Sequence, residues 1–339
     1  MSLNSRLKRI GFDSYLLMLL GTVILASLLP ARGMGAVLLS QVAYFAVALL
    51  FFLYGAKLNT GAIVAGLANW RLQALVFGST FIAFPIAGLV LSSALSPWLR
   101  PEIVIGILYL AVLPSTVQSS IAFTSIAHGN VPAAVCAASI SNLLGVFITP
   151  LFAALLLHTS GEGGIDLGSM LDIGVQILLP FALGQLMRPL VGKFIQRHAK
   201  LTQIVDRGSI LLIVYSAFSA GMVAGIWQQV DVSTLAIMIG ADALLLAVIM
   251  IGTSLVGRLS GLVREDRLVL LFCGSKKSLA SGLPMANILF AGQTVSLIVL
   301  PLMIFHQIQL FVCAVIAQRA GHRASEETAA IGAGKAVIT

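Results

Sequence analysis

Apolar runs of membrane length, separated by short polar stretches, follow one another along the whole chain. A helix crossing the hydrocarbon layer needs about 20 mostly apolar residues. Ten segments answer to this, near 14–29, 37–56, 72–92, 102–127, 131–157, 169–187, 208–227, 233–256, 266–290 and 294–318. The first is short, and the fourth, fifth and ninth are long enough to tilt or break. Arg6, Lys8 and Arg9 precede the first run and Pro30-Ala31-Arg32 follows it, the layout of a signal peptide. We read it as a retained helix, because a symmetric division of the spans needs it.

Charge then sets direction. With the N-terminus in the cytoplasm, sixteen of the 20 Lys and Arg residues fall on the inner side, and the outer loops hold only Arg32 and Arg100. This positive-inside asymmetry supports both the span count and cytoplasmic termini, in a multi-pass inner or plasma membrane protein. The remaining two cations, Lys276 and Lys277, lie within the ninth span. The Gly-rich stretch 158–168 divides the spans five and five. The expected organisation is a first five-helix repeat at 1–157, an external linker at 158–168, a second repeat at 169–318 and a cytoplasmic tail at 319–339. An odd number of helices per half inverts the second half relative to the first, the plan of secondary transporters whose sites lie where discontinuous helices meet.

The fourth span carries Leu113-Pro114-Ser115-Thr116-Val117-Gln118-Ser119-Ser120, and the ninth carries Cys273-Gly274-Ser275-Lys276-Lys277-Ser278. In each, a helix breaker is followed by Ser and further polar residues. Pro114 removes a backbone donor and Gly274 exposes backbone, so both helices are expected to break. The freed groups must find partners in protein, water or a bound ion. Hydroxyl and carbonyl oxygens of Gln118, Ser119 and Ser120 suit a small hard cation, and a half-helix amide end suits a carboxylate. A plain kink with back-bonded serines is the competing reading. Ser139, Ser141 and Asn142 in the fifth span serve equally as site or as interhelical glue.

An ammonium at membrane depth persists mainly where it has a task. Lys276 and Lys277 have three readings: a permanent ion pair with a buried acid, a substrate anion site, or a proton exchanged during the cycle, since burial disfavours the charged form. Adjacent helical residues diverge, so one lysine can face the site while the other snorkels. Asp242 in the eighth span is the best-placed charge partner; Asp172 and Asp13 lie nearer the two surfaces. His306, with Gln307 and Gln309, is a proton-relay candidate or a packed interhelical donor.

Composition narrows the classes. Of 339 residues 59% are hydrophobic and 9% charged, against roughly 25% charged in soluble domains. The net charge of +8 is dispersed among apolar spans and forms no aromatic-laced basic face, which excludes nucleic-acid binding. Cys136, Cys273 and Cys313 fall in spans without metal-ligand spacing, and read as small buried hydrophobes. Neither HExxH nor GxSxG occurs, and Gly332-Ala333-Gly334-Lys335 lacks the rest of a phosphate loop. The expectation is no enzyme, no resident cofactor, and transport driven by an ion gradient.

Residues 113–150 and 272–284, the latter reading FCGSKKSLASGLP, resemble the bile acid:sodium symporter family. The closer likeness is to its branch related to sodium/bile acid cotransporter seven and its bacterial homologues. The resemblance implies an all-α membrane fold of ten helices in two inverted five-helix repeats. Spans one, two, six and seven would form a panel and the rest a core, with discontinuous helices four and nine crossing at the centre. It also implies organic anions carried with sodium. The family's polar pair in the fourth-helix break falls on Ser119 and Ser120, and sodium is expected there and at Asn142. Its fifth-helix hydroxyls fall on Ala134 and Ala138, its third-helix glutamine near Thr80, and its ninth-helix glutamate near Ser275. The lysines stand where neutral residues are expected, and a buried ammonium can replace a bound sodium electrostatically.

The sequence therefore points to a cation-coupled (sodium or proton) symporter of a small organic anion, working by alternating access. Its site would be lined by Gln118, Ser119, Ser120, Ser139, Ser141, Asn142, Ser275, Lys276, Lys277 and Ser278. A regulatory membrane protein or channel on the same scaffold is the rival reading.

Overall fold

The computed structural model describes residues 14–57, 69–159, 177–223, 225, 230–290 and 295–336, and the regular structure among them is helical. The helices are α1 (Ser14–Leu28), α2 (Met34–Lys57), α3 (Trp70–Leu95), α4 (Pro101–Val112), α5 (Gln118–Ile126) and α6 (Val131–Thr159). They continue as α7 (Leu179–Arg197), α8 (Ala199–Val223), α9 (Val232–Leu259), α10 (Arg264–Gly274), α11 (Leu279–Leu289) and α12 (Val295–Ala336). Among the described residues, six helices are long and apolar enough to cross a membrane: α2, α3, α6, α8, α9 and α12. Their outward faces are apolar: Phe45, Val90, Ile204 and Ile251 are each more than 65% exposed. A surface of this kind needs lipid or partner helices around it.

Local chemistry sets several ends. Pro101 opens α4, where its fixed φ suits the first turn. Asp231 caps α9 by accepting from Thr234 N–H at 2.9 Å. Inside α3 a π turn runs from Ser79 to Ala83, just ahead of Pro85. Phe84 N–H reaches back to Ser79 O, and Pro85 has no N–H to offer, which leaves the Thr80 carbonyl without a helical donor.

The helices pack as two bodies. In the first, α1, α2, α7 and α8 pack on one another. In the second, α3 to α6 and α9 to α12 form a continuous network, and α8 touches it through α11 and α12. The α2–α7 crossing is backbone on backbone. A Cβ at Gly55 would collide with Phe181 O, and one at Gly184 with Phe52 O, so glycine on both helices permits the approach.

The fourth and ninth spans are each two helices with a gap, the break expected from Pro114 and Gly274. The other spans differ from expectation in three places. The sixth continues as α7 through Pro189 to Arg197, ten residues past the expected end at Met187. The seventh starts earlier, at Ala199, directly after α7, because the Arg188–Arg207 stretch is polar enough to look like a loop yet amphipathic enough to be helical. The last helix extends through the expected tail to Ala336. The linker 158–168 lies outside the described residues from position 160 onward, as do Asp13 and Asp172.

Candidate functional site

The two gaps meet. The first runs from Leu113 to Val117, and Leu113 is extended with φ −70° and ψ 155°. Gly145 on α6 makes room for it: a Cβ there would lie 2.6 Å from Pro114 Cβ. The second gap runs from Ser275 to Ser278, and Ser278 caps α11 with its own hydroxyl, accepting from Ser281 N–H. Ser278 N–H donates to Pro114 O at 2.9 Å, joining one gap to the other.

Side chains complete the junction. Ser115 Oγ donates to Cys273 O at 2.6 Å, and Ser120 Oγ to Phe272 O at 3.0 Å. Both acceptors are last-turn carbonyls of α10, which lack partners further along their helix. Asn142 Nδ2 donates to Ser115 O at 2.8 Å, while its Oδ1 accepts from Ser281 Oγ at 2.9 Å. Ser141 Oγ accepts from Ser115 N–H at 2.9 Å. Gln309 grips the second gap from α12: its Oε1 accepts from Lys277 N–H, and its Nε2 donates to Lys277 O and sits 2.8 Å from His306 Nδ1.

Both lysines are completely buried and diverge. Lys277 Nζ donates to Leu113 O at 2.6 Å and to Ala111 O and Thr80 O at 2.8 Å each, with the Phe84 ring centroid 4.2 Å away. Lys276 Nζ turns the other way. It lies 3.1 Å from Ser119 Oγ and 4.4 Å from the Phe123 ring centroid. Neither lysine snorkels. The expected pairing with Asp242 is not formed: among the described residues the ion pairs are Lys57–Asp206 and Arg100–Glu102. Asp242 is buried, and among the described residues neither of its carboxyl oxygens has a hydrogen-bond partner. Backbone carbonyls and aromatic faces, which the sequence cannot mark as acceptors, have taken the carboxylate's place.

A cavity of about 710 Å³ opens beside the junction, between the two bodies. Leu19, Phe51, Phe181 and Ile210 face it from the first body. Gln118, Ser119, Ser139, Asn142, Ser278 and His306 face it from the second. Lys57, Asp206 and Arg207 also stand in its wall, Lys57 paired with Asp206. Five expected site residues lie behind that wall: Ser120, Ser141, Ser275, Lys276 and Lys277. Ser275 Oγ bonds back to Leu271 O in its own helix. Thus the expected sodium trio does not line one surface. Ser119 and Asn142 face the cavity, and Ser120 turns its hydroxyl to Phe272 O.

Sequence reasoning passed over Thr80, Thr116, Ser281 and Gln309 as site members. Thr116 Oγ1 joins the hydroxyls of Ser119 and Ser120 at 2.9 Å each. For Thr80 the signal was present in Pro85, five residues on, which strips that carbonyl of its π-turn donor.

Residues 13–322 match the sequence profile of the SBF-like CPA transporter family. This chain belongs to that family. A protein of Pseudomonas aeruginosa named only as uncharacterized is 50% identical over 319 residues, covering 94% of this chain and 96% of its own. YfeH of Escherichia coli, whose name marks it provisionally as a symporter, is 47% identical over 307 residues, 91% of this chain and 92% of its own. Mouse sodium/bile acid cotransporter 7 is 26% identical over 287 residues, 81% of this chain and 82% of its own. Family membership and the apolar helices make the chain a multi-pass membrane protein of transporter type, in agreement with the resemblance seen in residues 113–150 and 272–284.

Proposed function

We propose that this SBF-like CPA transporter moves a small organic anion by cation-coupled symport, with sodium or a proton as the coupling ion. The observation that carries the reading is the cavity, onto which the first turns of α5 and α11 both open. Gln118 and Ser119 begin α5, which has no side-chain cap, and Leu279 and Ala280 begin α11; all four line the cavity. Helix N-termini carry partial positive charge and outward amides, so two of them suit one carboxylate or sulfonate. Lys276, one hydroxyl behind Ser119, adds positive potential. The apolar wall of Leu19, Phe51, Phe181 and Ile210 suits the carbon body of the solute.

Alternating access follows from the two bodies. Rocking α1, α2, α7 and α8 against the rest would open the cavity to each side in turn. The gaps sit at equivalent places when α1–α6 and α7–α12 are taken as inverted five-span repeats in a ten-span fold, both termini cytoplasmic, in the plasma or inner membrane. A sodium ion at Ser119 would stand against the Lys276 ammonium. The Asn142 and Ser139 part of the wall is the better position for it, and the proton remains the other coupling ion.

Purified protein in proteoliposomes tests this. A panel of organic acids is offered with sodium or N-methyl-D-glucamine outside, at two external pH values. Saturable uptake of one acid that depends on sodium or on the proton gradient is expected. Unsaturable current without accumulation would make the protein a channel and overturn the symport reading.

A further inference from the structure

We infer that Thr80 O, Ala111 O and Leu113 O form a monovalent-cation site, which this chain fills permanently with its own Lys277 ammonium. The three oxygens come from two separate helix defects. Ala111 and Leu113 supply C-terminal carbonyls of α4 with no partner further along. Thr80 supplies the carbonyl that the π turn and Pro85 leave without a donor. Their negative ends converge on one point, which is unfavourable in a buried place unless a positive group stands there.

The Nζ distances of 2.6–2.8 Å are those of charge-assisted hydrogen bonds. Carbonyls only accept, so three of them consume three N–H groups, the full complement of an ammonium. Phe84 closes a further side with its ring face at 4.2 Å. Among the described residues no carboxylate lies within ion-pairing distance of this nitrogen. The cation is therefore held by carbonyl dipoles and a ring, the environment of a bound monovalent ion.

The consequence goes beyond which solute is carried. A cation that could be taken from solution is here covalent. It cannot leave the protein during a cycle, and in this structure it holds α3, the end of α4 and the second gap together. The ligand class of the underlying site is a primary ammonium or a small alkali cation, and the site becomes available once the side chain is cut back.

Lys277→Ala, Lys277→Met and wild-type protein are purified in detergent and melted in methylammonium, sodium or N-methyl-D-glucamine chloride at equal ionic strength. In N-methyl-D-glucamine, Lys277→Ala is expected to melt several degrees below wild type. Methylammonium or sodium should restore at least half of that loss. Lys277→Met, whose thioether fills the space without charge, should stay low in all three salts. An alanine variant as stable as wild type, or a loss that neither small cation restores, overturns the site. Should Lys277→Ala not survive extraction, Lys277→Met and Lys277→Gln decide, together with extraction of Lys277→Ala in methylammonium. Wild-type stability in either overturns the inference; recovery of folded Lys277→Ala only when methylammonium is present at extraction upholds it, and no recovery overturns it. The readout is melting, so a failure to find transport would remove the symport reading and leave this one standing.

Discussion

Ser278 N–H donates to the carbonyl of Pro114 at 2.9 Å, so the two helix gaps are fastened by backbone to backbone. Around that bond the capping is reciprocal. Hydroxyls from the first gap and the start of α5, Ser115 and Ser120, satisfy the last carbonyls of α10. An ammonium from the second gap, Lys277, satisfies the last carbonyls of α4. Each broken helix is finished by the other.

Reciprocal capping makes the hydroxyls worth more than their size. Ser115→Ala leaves Cys273 O without its donor, and Ser120→Ala does the same to Phe272 O. A buried acceptor left unmet costs about 1–3 kcal/mol. Each variant is expected to lower the melting temperature in detergent, and the double variant to lower it further. Unchanged melting in both singles would show that the carbonyls find other donors.

Asn142 stands in the cavity wall and uses both ends of its amide, donating to Ser115 O and Ala138 O and accepting from Ser281 Oγ. Asn142→Ala and Asn142→Asp both remove the donors and should destabilise, aspartate also turning a carboxylate oxygen onto the Ser115 and Ala138 carbonyls. Aspartate also adds a negative charge to the wall. If the solute is an anion, Asn142→Asp raises KM in uptake well above the value for Asn142→Ala. Equal KM values would place the anion elsewhere.

Among the described residues the buried Asp242 has no hydrogen-bond partner, so its neutral replacements should be tolerated. Asp242→Asn and Asp242→Leu remove a group whose burial is uncompensated, and replacing such groups is often neutral or stabilising. Melting at or above the wild-type temperature is expected in both. A fall of several degrees would reveal a partner engaged in another state of the cycle.

The gaps themselves were legible, because proline, glycine and clustered serines are visible in sequence. Pro114 lies within one real interruption, and Gly274 and Ser278 bound the other. The destination of Lys277 was not legible, since its partners are backbone carbonyls of residues 80, 111 and 113. Every residue has a carbonyl, and only the fold shows which ones are left unmatched. Asp242 was misassigned for the same reason: a carboxylate is the only acceptor for a buried cation that sequence names outright. The length of α7 was hidden by Arg188-Pro189, which marks a span end in lipid although the helix runs on beyond it. The cavity joins residues from Leu19 to Leu310, and no local pattern links those positions.

Outside the spans, Asp231 gives a pH signature. Hydrogen bonds from the Thr234 and Ser233 side chains, and from Thr234 N–H, hold its carboxyl down from 3.8 to about 2. A group held low in the folded state adds stability above its unfolded value, and that stability is lost as pH falls through the folded one. The melting difference between wild type and Asp231→Ala should therefore be constant above pH 3.8 and close as pH falls towards about 2. It should also shrink with salt, since the carboxylate is exposed. A difference that persists unchanged at the acid end would mean the aspartate acts through shape alone.

Lys276 and Lys277 are neighbours in sequence with opposite expected phenotypes. Lys277 has every hydrogen engaged by carbonyls that nothing else satisfies, so its loss is a loss of structure. Lys276 has one hydrogen bond, to Ser119 Oγ, and the face of Phe123. Removing it leaves a hydroxyl that still bonds Thr116 at 2.9 Å. Lys276→Met should therefore melt close to wild type, because a loosely matched buried charge is being replaced by an apolar chain of similar length. Function should respond differently. The ammonium stands directly behind the wall residue at the start of α5, where low polarity carries its field into the cavity. If the solute is an anion as proposed, removing that charge is expected to raise its KM by about tenfold, a change of about 1.4 kcal/mol in binding. Lys276→Arg, which keeps the charge, should recover part of that loss. If Lys276→Met instead unfolds the protein while binding in the survivors is normal, the two lysines share one structural task, and the Lys276 charge has no part in solute binding.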